Sequence, residues 1–286
     1  MGRLPVIRIV IPIGFLRPLA AGALTLILAA GLSGCTDTQQ AGSPPPPSGS
    51  VSPDTMMRLA ETTRQSGDLG QAAGLYQRAA QLDPKNPKPL LELGGIYAQL
   101  QMPKDAAQAW MAVLALDPKN TTALRGLANA QLQTGDTPGA IQNLQAAQAI
   151  LPDWRNDNSL GVAYDMRADH ASAVKAYQDG LRLDPGNLQL TNNLGLSLAL
   201  SGDFTQALPL LESSAHDPRA TPRMRQNLAL AYGLSGDDKK AAEVAKQDLD
   251  PAGVKENLGY YEFLRLLQDR NAIASTLGAH QTDALN

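Results

Sequence analysis

The chain has 286 residues, 24 Lys+Arg against 27 Asp+Glu, a formal net charge of −3 and one cysteine. A single thiol cannot close an intramolecular disulfide, and no second cysteine or nearby histidine gives it zinc-ligand spacing. Without a basic run, the mild acidity also excludes the electrostatic footprint of a nucleic-acid binder.

Residues 1–34 read as a targeting segment. Arg3, Arg8 and Arg17 are their only charges, and an apolar run from Leu19 to Leu32 follows. That run is too short for a comfortable membrane span but suits the core of a secretory signal. It leads into Leu32-Ser33-Gly34-Cys35. This tetrapeptide resembles a lipobox, the bacterial lipoprotein pattern in which the cysteine is lipidated and becomes the first mature residue. The alternative is a free thiol behind an ordinary cleaved signal. The resemblance implies several acyl chains on Cys35, enough for a stable anchor where one chain would hold only marginally. Thr36 stands where the enterobacterial rule would need aspartate for inner-membrane retention. The expected location is therefore the outer membrane, facing the periplasm. Removing the signal lowers Lys+Arg from 24 to 21 against 27 acids, a formal charge of −6.

Residues 35–52 read as a tether, for which the lipobox resemblance implies lipidation at Cys35. Thr, Gln, Gly, Ser and Pro dominate it, and Val51 is its only large apolar side chain. Such a segment cannot bury enough surface to offset its ordering entropy, and Pro44 to Pro47 favour polyproline II. At Ser52-Pro53-Asp54 a hydroxyl N-cap, proline at N1 and an acid in the first turn predict a helix start.

The remainder is rich in Ala, Leu, Gln and Gly and shows no Val/Ile alternation, a pattern of helices. "LDP" occurs at Leu82–Pro84, Leu116–Pro118 and Leu183–Pro185, with "ILP" at Ile150–Pro152 and "HDP" at His216–Pro218. The prolines are 34, 34, 33 and 33 residues apart. Within each period a Leu-Gly or Leu-Ala pair recurs, as at Leu93-Gly94, Leu160-Gly161 and Leu194-Gly195. Alanine opens the second helix at Ala72, Ala106, Ala140, Ala173, Ala207 and Ala241, and a bulky residue follows four positions on, as Tyr76, Trp110 and Tyr177. Period and pattern resemble the tetratricopeptide repeat (TPR) family. The resemblance implies an all-α solenoid of helical hairpins. Six repeats are expected from Pro53 to Asp250, and "VKENLGYYEFLRLLQ" from Val254 to Gln268 reads as the capping helix such a solenoid requires. The expected body is 53–268, with a C-terminal tail at 269–286. Gly-Asp turns join the paired helices at Gly67, Gly135, Gly202 and Gly236. Gln101 and Ala168 replace glycine in repeats two and four, where different turns are expected.

Nothing points to catalysis. His170, His216 and His280 lie far apart in sequence, and there is no Walker loop, GxGxxG, HExxH or GxSxG. No metal and no cofactor beyond the covalent lipid is expected. Trp110, Tyr76 and Tyr177 occupy the repeat's packing position. The TPR resemblance implies that a protein partner, an extended or helical peptide, lies on the first helix of each repeat. There repeats four to six carry Asn158, Asn192, Asn193, Gln226 and Asn227, and Asn257 continues the series into the cap. Each amide can donate to and accept from a peptide backbone. They are expected to face solvent, with Leu196 and Leu230, and also Val162, Leu200 and Leu234, between them. Arg125, Asn129 and Arg155 resemble in part the basic/amide clamp some TPR domains place on a C-terminal carboxylate, although Ser159 stands where that clamp has asparagine.

"TNNLGLSLALSGDFTQALPLLESSA", "RMRQNLALAYGLSGD" and "KENLGYYEFLR" resemble the TadD-type TPR lipoproteins of Tad (Flp) pilus assembly, over residues 190 to 265. That resemblance implies an outer-membrane scaffold for a pilus secretion machine, with its secretin as the leading partner. The alternatives are another envelope TPR lipoprotein, pilotin-like or an outer-membrane assembly factor, and a regulator of a peptidoglycan enzyme.

Overall fold

The computed structural model describes residues 51–267. The expected signal, the lipobox with Cys35, almost all of the tether, and the tail lie outside the described residues.

The described residues form thirteen helices and no strand. Twelve pair as antiparallel hairpins, each with a first helix and a second. These are α1 (Pro53–Gln65) with α2 (Leu69–Leu82), α3 (Lys88–Gln99) with α4 (Pro103–Leu116), and α5 (Thr121–Thr134) with α6 (Thr137–Ile150). Then come α7 (Trp154–Asp165) with α8 (His170–Leu183), α9 (Leu188–Ser201) with α10 (Phe204–Ala215), and α11 (Pro222–Ser235) with α12 (Asp238–Ala245). A thirteenth, α13 (Pro251–Leu266), packs on α11 and α12. From α3 onward each first helix also touches the first helix of the next repeat, which makes the first helices the inner layer of the solenoid.

Local chemistry accounts for the hairpins. Gly67, Gly135, Gly202 and Gly236 take φ of +88 to +92°, the left-handed conformation that ends a helix at no steric cost to glycine. After Gly135, Gly202 and Gly236 the next residue closes the turn by donating its N–H five residues back, as from Asp136 to Gln131 O at 2.8 Å and from Asp203 to Leu198 O at 2.9 Å. The aspartate after each glycine caps the second helix: Asp68 Oδ1 accepts from Gln71 N–H at 2.9 Å and Asp136 Oδ1 from Gly139 N–H at 3.1 Å. The turns at Gln101 and Ala168 do not differ as expected. Both residues take φ of +57°, and Met102 and Asp169 close the same bond, to Tyr97 O and Tyr164 O, each at 2.9 Å. The helices on either side are held by packing, which imposes the turn on a non-glycine residue at a cost in backbone strain.

The core alternates small and large residues between helices. A Cβ on Gly94 would come within 2.5 Å of the Trp110 indole, and one on Gly195 within 2.8 Å of Leu211. Gly161 stands in the same relation to Tyr177. Tyr76, Tyr177, Leu144 and Leu211 are almost wholly inaccessible, and so are the second-helix alanines Ala72, Ala106, Ala140, Ala173, Ala207 and Ala241. Helices therefore approach as closely as the missing side chain permits, and the bulky residue fills the gap. The Tyr260-Tyr261 pair in α13 divides its work. Tyr261 lies in close contact with Gly233, which has no Cβ to obstruct it, while Tyr260 is only half-buried. Arg265 ties the cap down by donating to Asp238 Oδ2 at 3.0 Å and to Gly233 O.

Since the turns at Ala168 and Gly202 share one conformation, exchanging their residues should have opposite effects. Ala168→Gly is expected to raise stability by about 0.5–1 kcal/mol and Gly202→Ala to lower it by about 1 kcal/mol. Urea melts followed by circular dichroism measure both; a lower midpoint for Ala168→Gly would contradict the strain assigned to that turn.

Candidate protein-interaction groove

The inner layer brings the predicted amides together. Asn193 Nδ2 donates to Asn158 Oδ1 at 2.9 Å, Asn192 Nδ2 to Asn193 Oδ1 at 3.2 Å, and Asn227 Nδ2 to Asn192 Oδ1 at 3.3 Å. Three first helices, α7, α9 and α11, are thus linked by one ladder of side-chain amides. Each bond between repeats joins residues 35 apart, one more than the 34 that separate the equivalent Asn158 and Asn192, so the ladder steps one residue along the helix at each repeat.

The ladder corrects the expectation that these side chains face solvent. Asn158 and Asn192 are buried, at 6% and 3% exposure, while Asn193, Gln226, Asn227 and Asn257 are half-buried. A buried amide must find partners, and here the amides find one another. The leucines are corrected likewise. Val162, Leu200 and Leu234 are buried, and Leu196 and Leu230 are half-buried against the cluster of Leu200, Leu234 and Leu264. Leu264 belongs to α13, so the cap closes the end of the inner face where the leucines had been expected to lie open. What remains exposed in repeats four to six is the outer edge of the amide row with the flanks of Leu196 and Leu230.

The clamp-like arginines are already engaged. Arg125 Nη1 lies 2.9 Å from Asp153 Oδ2, and Arg155 Nη1 lies 3.4 Å from Asp153 Oδ1 while its guanidinium stacks on Trp154 at 4.5 Å. Burial raises the Asp153 pKa, but the Arg155 backbone N–H and the two guanidinium groups outweigh it and hold the carboxyl below the usual range. Neither arginine is a free cation awaiting a carboxylate.

Two buried polar groups escaped sequence reasoning. Asp165 is 3% exposed and gathers three donors. Ser197 Oγ donates at 2.6 Å and Tyr177 OH at 2.9 Å, and His170 Nδ1 lies at 2.7 Å. His170 opens α8 and is itself buried. One signal was legible: tyrosine at the buried packing position requires an acceptor, as Tyr76 finds in Glu61 Oε2 at 2.9 Å. His216 stays exposed, bonded through Nδ1 to Glu212 O at 2.8 Å, and His280 lies outside the described residues. The second group is Asp157, 4% exposed with no partner for Oδ2, beside the equally buried Asn156, whose Oδ1 is also unpartnered. Asp157 sits in the seam between repeats, where a Cβ built on Gly180 would stand 3.2 Å from Asp157 Cβ and 3.0 Å from Leu190.

Burial raises the Asp157 pKa to about 6, only partly opposed by the Gln148 side chain and the Arg182 charge. Because the folded value lies above the unfolded one, neutral Asp157 favours folding. Its contribution is complete below pH about 4 and is lost as pH rises through 6. Asp157→Asn should therefore raise stability at pH 7.5 by about 1–2 kcal/mol and leave it nearly unchanged at pH 4. Urea midpoints across pH 4–7.5 measure this, and an equal effect of the substitution at both ends would refute it.

Tetratricopeptide repeat models match residues 64–110, 91–153 and 159–222. Among curated proteins, the chain is 29% identical over 133 residues to the cellulose synthase operon protein C of Pseudomonas fluorescens, and 31% identical over 129 residues to tetratricopeptide repeat protein 1 of Schizosaccharomyces pombe. Each alignment covers 43% of this chain but only 10% and 12% of the relative. Among solved structures, the MamA protein is 26% identical with a TM-score of 0.53, over 60% of this chain and 98% of that one. Pseudomonas aeruginosa PilF superposes with a TM-score of 0.60 at 18% identity, over 73% and 97%. PilW, described as a widely conserved type IV pilus biogenesis factor, gives 0.62 at 16% identity, over 68% and 91%. At those two identities the likeness is one of fold. With six hairpins, a capping helix and matched repeat models through the body, the chain belongs to the tetratricopeptide repeat family and is a protein-interaction scaffold of that kind.

Proposed function

We propose that this scaffold is a lipid-anchored assembly factor of a Tad (Flp) pilus secretion system, tethered through Cys35 to the periplasmic face of the outer membrane. In this reading it is not an enzyme and holds an extended segment of the secretin against the inner face of repeats four to six. The observation that carries the reading is the amide ladder. It gives one polar edge flanked by Leu196 and Leu230, and its members on α9 and α11 lie in the part of the chain that resembles the TadD-type lipoproteins. A peptide backbone laid on such an edge meets donors and acceptors whatever its side chains. The lipobox supplies the anchor in the same reading. A second reading, a pilotin-like factor of a type IV pilus, is favoured by the likeness of fold to PilW.

The choice of variants follows from burial. Asn158 and Asn192 hold the ladder together, so their removal would disturb folding. Gln226 and Asn227 are half-buried and suit a binding test. Gln226→Ala with Asn227→Ala is expected to weaken capture of the Tad secretin by about tenfold, at a melting temperature within a few degrees of wild type. Undiminished capture by the folded variant would move the contact elsewhere, and capture of a type IV pilus secretin in preference to the Tad secretin would favour the second reading. Separately, Cys35→Ser should abolish incorporation of labelled palmitate and release the protein from the outer-membrane fraction. Retention of both would overturn the anchor.

A further inference from the structure

The seam between repeats four and five holds an acid without a counter-charge. Asp157 of α7 is 4% exposed, and Gly180 of α8 packs against both it and Leu190 of α9: a Cβ on Gly180 would stand 3.2 Å from Asp157 Cβ and 3.0 Å from Leu190 Cδ1. The Gln148 side chain bonds to the Asp157 carboxyl, but Oδ2 has no partner. The preceding residue, the equally buried Asn156, keeps an Oδ1 without a donor. Two consecutive residues thus bury acceptors for which no hydrogen is supplied. The surrounding helices do not make good the charge. α6 and α9 carry no ionisable side chain, and the single one on α5, Arg125, is held by Asp153 at 2.9 Å. On α8, His170 is bonded to Asp165 at the far end of α7, Lys175 is exposed, and Arg182 is exposed and paired with Asp179. On α7 itself Asp153 adds a like charge, and Arg155 is turned onto the Trp154 ring at 4.5 Å.

Resting on the reading of the inner face as the working surface, we propose that this seam is a proton-operated hinge. Protonated Asp157 holds repeats four and five in the register the amide ladder needs, and its ionisation opens the seam. A neutral carboxyl brings a donor to a place that has only acceptors, whereas a carboxylate there gives up its hydration with one side-chain donor in return. Opening costs the contacts around Gly180 and Leu190 but lets Asp157 release its proton to solvent and gain water. The raised pKa of about 6, set by burial and only partly opposed by Gln148 and Arg182, agrees with this balance. The consequence for the groove is direct. Asn158, the next residue of α7, accepts from Asn193 of α9 across the same seam at 2.9 Å. An opened seam loses that rung, so a partner lying across repeats four and five meets a preformed edge in acid and a loosened one at neutral pH.

Hydrogen exchange of the full-length chain in detergent reads the opening. It is followed by mass spectrometry from pH 5 to 7.5 and corrected for the intrinsic pH dependence of exchange. The closed seam favours neutral Asp157 and the open one favours the carboxylate, so closure weakens as pH rises. Protection of peptides from α7 and α9 should therefore fall about tenfold over that range. Peptides from α3 and α4, two repeats away, should keep theirs. Asp157→Asn, which cannot ionise, should hold α7 and α9 at their acid-side protection throughout. Constant protection of α7 and α9 in the wild-type chain, an equal fall in α3 and α4, or an unaltered fall in Asp157→Asn would overturn the hinge. The first two outcomes decide it from the wild-type chain even if the variant does not fold. No partner enters this measurement, so its failure leaves standing the secretin test made with the Gln226 and Asn227 variants.

Discussion

The fold depends on helices approaching more closely than ordinary side chains allow. Gly94 against Trp110, Gly161 against Tyr177 and Gly195 against Leu211 remove a Cβ from one helix where a ring or branched chain enters from the next. A glycine inside a helix costs about 1 kcal/mol relative to alanine, and the buried large side chain opposite it recovers about 2–3 kcal/mol. The exchange recurs within each of these hairpins, and each hairpin in turn packs on the next, so the array behaves as a series of coupled units. The cap obeys the same rule, because Tyr261 meets Gly233 as Tyr177 meets Gly161.

Close packing of the first helices sets the character of the inner face. Asparagines that would lie open on an isolated helix are brought within reach of those on the next repeat, where each amide satisfies another. A buried polar row of this kind is stable only when its members are paired. Its gain is geometric: side-chain bonds that cross from α7 to α9 and from α9 to α11 resist sliding of one repeat past the next. A groove stiffened in this way presents a partner with a preformed edge and loses less conformational freedom on binding.

Not every buried polar group is so well provided. Asp165 collects three neighbours, whereas Asp157 and Asn156 each keep an oxygen without a partner, and all three lie in repeat four. The consensus places a large apolar residue where Asp157 stands. Repeat four therefore gives up stability in the middle of the array, at the seam that joins the general TPR portion to the portion resembling pilus-assembly lipoproteins.

The sequence by itself determined the element order, the four glycine turns and the packing positions, because a TPR core is built from contacts at fixed spacing and the 34-residue period displays that spacing directly. Prolines and aspartates marked helix ends for local reasons that need no knowledge of the rest of the chain. Tertiary structure alone decided which polar residues meet solvent. Asn158 and Asn193 lie on one face by register, but that one accepts from the other, and that α13 covers Leu200 and Leu234, depends on the angle at which repeats stack. The left-handed turns at Gln101 and Ala168 ran against the sequence expectation for a related reason: local propensity argued against them, and packing between the paired helices outweighed it. The placement of Gly126 against the Trp110 ring was hidden most deeply, since it is a relation between helices of neighbouring repeats that no spacing within one helix expresses.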